Sequence, residues 1–107
     1  MVSYEDFLKM DIKIAEIKNA REHPEADRLM VLEIDVGGES KQIVAGIKGF
    51  YGKDELVGRK IVVLNNLEPV VLRGETSNGM LLAASGEGGS PILLVPDKEV
   101  APGSPVK

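Results

Sequence analysis

Apolar side chains return at every second position in short runs, and each run is soon stopped by glycine or proline. Leu32, Ile34 and Val36 alternate with Glu33 and Asp35 before Gly37-Gly38, the pattern of a half-buried strand that ends in a turn. QIVAGI (42 to 47), KIVVLNNL (60 to 67), GMLLAAS (79 to 85) and PILLVP (91 to 96) are further short apolar runs of this kind, and Val70 to Leu72 reads as a continuation of the fourth strand past Pro69. The first strand starts at Ile12 and Ile14, but its next apolar position is Ile17. That one-step slip predicts a bulge near Ala15 that bends a long strand. Two helical pieces interrupt the pattern. SYEDFLKM sets Ser3 as a cap, Glu5 and Asp6 in the first turn, and Tyr4, Phe7 and Leu8 on one face as packing groups. GFYGKDELVGRK, broken by Gly49, Gly52 and Gly58, leaves room for one helical turn over 53 to 57.

Five or six short strands in 107 residues hide their edges best by curling into a barrel. A single small helix between the third and fourth strands matches the five-stranded Greek-key OB arrangement, an all-β fold that binds polymers with its sheet face and with the loops after strands one and four. Those loops are HPEADRL (23 to 29) and VLRGETSNG (71 to 79). The length suits one domain. With 43% hydrophobic and 28% charged residues the chain is globular in composition, and no stretch approaches the ~20 apolar residues of a membrane span. The acidic start, MVSYEDFLKMD, lacks the features of a secretory signal.

The chemistry-bearing residues are few. His23 is the only histidine and cysteine is absent, so no metal-ligand cluster forms around it. It reads as a turn residue whose ring bonds neighbouring backbone, in a loop where it could touch a phosphate or a base. Ser85 lacks a nucleophile elbow and a histidine partner. Glu25 with Asp27, and Asp54 with Glu55, sit in polar turns, while GEGGSP lacks the lysine of a phosphate loop. Catalysis within the chain is not expected, and no cofactor is. The net charge of -4 excludes a generic polyanion binder, so any contact with nucleic acid must be local. Four aromatics, Tyr4, Phe7, Phe50 and Tyr51, are too few for a broad stacking surface. The exception to this plain inventory is VLRGETSNGM. There Arg73 offers a guanidinium for phosphate, Ser77 and Asn78 offer groups for base edges or ribose, and Met80 offers a soft apolar contact.

DIKIAEI (11 to 17), HPEADRL, QIVAGI and GRKIVVLNNLEPVVLRGETSNGMLLAA (58 to 84) together resemble the tRNA-binding domain family. That family includes the C-terminal domain of many methionyl-tRNA synthetases, freestanding dimeric tRNA-binding proteins and domains appended to other synthetases. HPxAD with a following basic residue, NLxP, LRG and SxGM carry the resemblance, which runs over essentially the whole chain. It implies an OB barrel, here about residues 11 to 86, and a homodimer built from segments outside it, residues 1 to 10 and 87 to 107. It also implies weak binding to the outside of tRNA with little sequence discrimination. The lead-in YEDFLKMDIKIAEI is most similar to the methionyl-tRNA synthetase domain. A secretion-chaperone branch with the same barrel generally lacks HPxAD and SxGM. Phenylalanyl-tRNA synthetase β chains carry a relative inside a much larger polypeptide.

On that resemblance the candidate tRNA contacts are Arg73 with Asn65, Asn66, Ser77, Asn78 and Met80 on one loop, and Arg28 with His23 on the other. Lys13, Lys18 and Lys41 border them on the strands. One departure stands out: Glu68, Val70 and Val71 occupy positions where relatives often carry cations, which predicts weak and strongly salt-dependent binding. The implied function is a non-catalytic cytoplasmic module that raises the local tRNA concentration for a synthetase core in cis or trans, with methionine-tRNA ligase as the expected one. The alternatives are a dimerisation module with little tRNA affinity and a chaperone-like relative.

Overall fold

A computed structural model describes residues 1 to 107. The capped helix forms as α1, Tyr4–Leu8, where the Asp6 amide donates to Ser3 Oγ at 3.1 Å. Within this chain its apolar face is not packed away: Tyr4 and Leu8 are exposed and only Phe7 is half-buried. Three antiparallel strands follow, β1 (Ile12–Glu22), β2 (Met30–Asp35) and β3 (Ser40–Ala45). α2 (Lys53–Leu56) then leads to β4 (Lys60–Leu64), β5 (Val70–Leu72), β6 (Glu75–Ser77), β7 (Met80–Leu81), β8 (Ala83–Ser85) and β9 (Pro91–Leu93). The main sheet has the order β3-β2-β1-β4-β7 and is antiparallel throughout. It curls into a half-barrel, the all-β architecture expected, with the single helix between the third and fourth strands.

The slip in β1 falls between Ile17 and Asn19, not at Ala15. Ile14 and Ala15 are both buried, although neighbouring side chains of a strand point to opposite faces. Ala15 joins the core, while the C-terminal tail runs antiparallel along the free edge of the strand: Ile14 N–H donates to the Ser104 carbonyl and Gly103 N–H to the Ile14 carbonyl, at 2.9 and 2.7 Å. The core-facing set is therefore Ala15, Ile17 and Ala20, and the break in period two lies after Ile17. Around them Met30, Leu32, Ile34, Ile43, Ile47, Leu56, Ile61 and Val63 are almost completely buried, each contributing about 1.5 to 3 kcal/mol.

Val70 to Leu72 does not prolong β4. It pairs with β6 in a separate ribbon, with Leu72 opposite Glu75. Arg73 and Gly74 form the two-residue loop with φ of 53° and 88°, the positive values that match the twist of a tight hairpin. GMLLAAS also divides. Met80 and Leu81 pair with β4, Ala83 to Ser85 pair with β9, and Leu82 links the two by donating to the Val62 carbonyl and accepting from Leu94 N–H. Leu93 enters the core from β9, so the segment after residue 86 is packed into the half-barrel.

Candidate nucleic-acid interface

A curled sheet leaves β3 with an unpaired edge, and the β5–β6 ribbon covers it. Asn78 N–H donates to the Gln42 carbonyl at 2.8 Å, and the Gln42 side-chain amide donates to the Thr76 carbonyl at 3.0 Å and to Glu75 at 3.2 Å. Ser77 completes this seam. Its hydroxyl accepts from Val44 N–H and donates to the Gly79 carbonyl, both at 2.9 Å, and the residue is 3% exposed. This corrects the expectation for Ser77: the hydroxyl is fully engaged inside the protein and presents nothing to a ligand. Asn78 is half-buried beside it. Gly79 sits where only glycine fits, with φ of 131° and a Cβ that would lie 3.0 Å from the Leu64 carbonyl.

His23 is likewise buried, at 3% exposure. Nε2 lies 3.0 Å from the Leu72 carbonyl and Nδ1 lies 3.0 Å from Glu25 N–H. A carbonyl only accepts and an amide only donates, so the geometry selects the neutral ring protonated on Nε2. The ring bonds neighbouring backbone, as the turn reading of the sequence expects, and it also joins the 23 to 29 loop to the ribbon one residue before Arg73. A second tie runs beside it, the Arg21–Glu75 ion pair at 3.0 Å. The Arg21 guanidinium, with help from the Gln42 amide, holds the Glu75 carboxyl below its ordinary range.

The remaining candidates lie toward the other end of β1. Met80 pairs with Leu64, which in turn faces Ile12, and Met80 is 44% exposed. Lys41 Nζ donates to the side-chain and backbone oxygens of Asn65 at 2.9 and 3.0 Å, while Asn65 Nδ2 donates to Asp11 at 2.8 Å. Asn66 accepts from Asp11 N–H and donates to the Lys9 carbonyl. Lys13 lies 3.7 Å from Asp11. Asn65 and Asn66 thus fasten the segment between α1 and β1, which explains their amides without a ligand.

Two charged candidates are left unengaged. The side chains of Arg28 and Arg73 are exposed and neither makes an ion pair or hydrogen bond within the chain. They stand on two loops that His23 locks together, and Arg73 is the only non-glycine residue at positive φ. An unpaired guanidinium keeps all its donors available for a bidentate contact with phosphate. Sequence reasoning missed Arg21, Gln42 and Glu75, the residues that fix the Arg73 ribbon. Arg21 and Glu75 are 54 positions apart, and no local pattern announces a pairing over that distance.

Residues 12–105 match the family described as "Putative tRNA binding domain". The chain is 47% identical over 106 residues to the methionine–tRNA ligase of Thermococcus onnurineus, an alignment that covers 99% of this chain and 14% of the ligase. The chain spans only that small share of such curated relatives, 14% again for the ligase of Nanoarchaeum equitans at 45% identity. Among solved structures it superposes on the MetRS related protein from Pyrococcus horikoshii with a TM-score of 0.93 at 32% identity, covering 100% of this chain and 98% of that one. It also superposes on the chaperone CsaA from Bacillus anthracis with a TM-score of 0.90 at 33% identity, covering 100% and 99%.

Proposed function

The chain belongs to the tRNA-binding domain family, and from that membership we propose that it works in the cytoplasm as a non-catalytic accessory to a methionine–tRNA ligase, fused to the ligase or bound to it. It holds tRNA weakly and with little sequence discrimination. The observation that carries this reading is the pair of unengaged guanidinium groups, Arg28 and Arg73, on loops fastened to each other in a chain of net charge -4. Local cations in an acidic chain favour a few phosphate contacts over a broad electrostatic surface. Of the other candidates, Met80 is open to an apolar contact with RNA, while Lys13, Lys41, Asn65, Asn66 and Asn78 border the surface. A weak site tethered to a catalytic core raises the effective concentration of tRNA there, which increases productive encounters without adding specificity.

Homodimerisation through residues 1 to 10 and 87 to 107 is part of the same proposal. Tyr4, Leu8 and Met10 at one end of the chain, and Ile92, Leu94 and Val95 near the other, are exposed apolar side chains in need of cover. The same side chains favour a second reading, an assembly module with little tRNA affinity. Gel filtration during a tRNA titration separates the two. The first reading expects a dimer whose elution shifts with tRNA at low salt, the second a dimer whose elution does not. Removal of the domain from the ligase is the functional test. It is expected to raise the tRNA concentration needed for aminoacylation while amino-acid activation is unchanged; an unaltered tRNA requirement would refute the tethering role.

A further inference from the structure

KGFYGK, Lys48 to Lys53, brings together two cations and two aromatics with no acid among them. The two aromatics have different surroundings. Tyr51 packs against the core, its hydroxyl accepts from Leu93 N–H at 3.2 Å, and the Arg59 guanidinium lies 5.5 Å from its ring centre. Phe50 is 53% exposed. Packing in this part of the molecule is met by Tyr51, and the turn that places Tyr51 inward leaves Phe50 in solvent. That turn is tight: Phe50 and Tyr51 N–H both donate to the Ile47 carbonyl, at 3.0 and 3.3 Å, and Gly49 supplies a φ of 91°.

The loop is also fastened to the first binding loop. Lys48 N–H donates to the Arg28 carbonyl at 3.3 Å, and Lys48 Nζ lies 3.8 Å from the Glu22 carboxylate. Phe50 therefore projects from a segment joined directly to the residue that bears one of the two unengaged guanidinium groups. Lys53, the first residue of α2, is exposed and without an ion-pair partner.

We propose that Phe50 is a stacking platform for a single unpaired nucleobase of the bound RNA, with Arg28 and Lys53 available to the phosphates on either side. The proposal rests on the tRNA-binding reading and extends the interface to a third loop. Every base has a π face, so stacking on one aromatic ring adds affinity without selecting a sequence. A base inside an A-form helix is already stacked, so the occupant belongs to a loop, bulge or end of the RNA. Stacking releases no counterions. It supplies affinity of a kind that the missing cations at Glu68, Val70 and Val71 cannot, and it persists as salt rises.

The chain contains no tryptophan, so Phe50→Trp introduces a single indole reporter at the site. Unfractionated tRNA is titrated into the parent chain, Phe50→Ala, Phe50→Leu and Phe50→Trp over a range of salt concentrations. Phe50→Ala is expected to weaken binding about 5- to 100-fold with the slope of log affinity against log salt unchanged. Phe50→Leu does not restore affinity, and Phe50→Trp binds with saturable quenching of its emission. Because Phe50 is largely exposed, the thermal midpoints of the variants stay at the parent value. If the parent binds and Phe50→Ala or Phe50→Leu binds equally well, stacking is refuted while the tRNA-binding reading stands. A change in the mass in solution without a change in tRNA affinity would assign Phe50 to a protein contact and also overturn the proposal. A parent that binds no tRNA at low salt removes both readings together.

Discussion

Arg73 stands in a backbone conformation that L side chains avoid, with φ of 53°, while the next residue is a glycine at 88°. A glycine at 73 would make the same turn without the contact between Cβ and the backbone, so Arg73→Gly is expected to raise stability by roughly 1 kcal/mol in chemical denaturation. The same change removes one phosphate contact and should reduce the salt slope of tRNA binding by about one unit. A loss of stability would mean that the guanidinium or its stem contributes packing. Ser77 predicts the reverse pattern. Ser77→Ala leaves the buried Val44 N–H without an acceptor and should cost about 1 to 3 kcal/mol of stability. Its tRNA affinity, measured where the variant is fully folded, should change less than that of Arg73→Ala. Glu75 gives the seam a dependence on pH. Its folded pKa lies below the ordinary carboxylate value, chiefly through the Arg21 hydrogen bond, so its contribution is fully present above the ordinary value and is lost as pH falls through the depressed folded value. Glu75→Gln should flatten the acid limb of a thermal-midpoint profile below about pH 5, and an unchanged limb would show that the Arg21 pair contributes nothing there.

Elements whose signals are local were legible in the sequence. The Ser3 cap, the Leu32–Ile34–Val36 alternation with its Gly37-Gly38 stop, and the single turn of α2 needed nothing beyond neighbouring residues. The half-barrel followed from the number of strands and the position of that turn. What the sequence hid depends on contacts between distant residues. Ile14 and Ala15 are both buried, which blurs the alternation ahead of the bulge after Ile17, and nothing in DIKIAEI foretells that the tail pairs with the edge of this strand. Val70 to Leu72 follows KIVVLNNL with no local mark that it leaves β4, and Arg73-Gly74 closes a hairpin only because a non-glycine residue accepts a positive φ there. The site shows the same division. Arg28 and Arg73 are unengaged within the chain, whereas His23, Ser77, Asn65 and Asn66 have their hydrogen-bonding groups satisfied by backbone and side chains elsewhere in the fold. Docking of the tail is itself testable. Gly37 and Gly103 face each other so closely that a Cβ on residue 103 would sit 2.8 Å from the Gly37 Cα. Gly103→Ala should therefore loosen the tail and speed hydrogen exchange at the Ile14 and Val106 amides, with β2 and β3 protected as before. Uniform loss of protection would show that the tail is required for the whole fold.

As a whole the molecule combines an acidic surface with a small set of positive charges that the fold leaves unengaged. Most of the thirteen Lys and Arg residues are not available to a polyanion on equal terms. Lys9, Lys13, Lys18, Arg21, Lys48 and Lys60 have carboxylate partners, Lys41 bonds Asn65, and Arg59 stacks on Tyr51. In the proposed reading such a surface repels RNA over most of its area and would accept it where loops 23 to 29 and 72 to 75 meet. Phosphate contact by Arg28 and Arg73 is read from log affinity for unfractionated tRNA against log salt, measured for the parent, Arg28→Ala and Arg73→Ala. It predicts measurable binding by the parent at low salt, weaker binding by each variant, and a salt slope reduced by about one unit per guanidinium removed. Parent binding with the same affinity and slope after both substitutions would place the RNA elsewhere on the molecule, and an absence of parent binding at low salt would contradict the account as a whole.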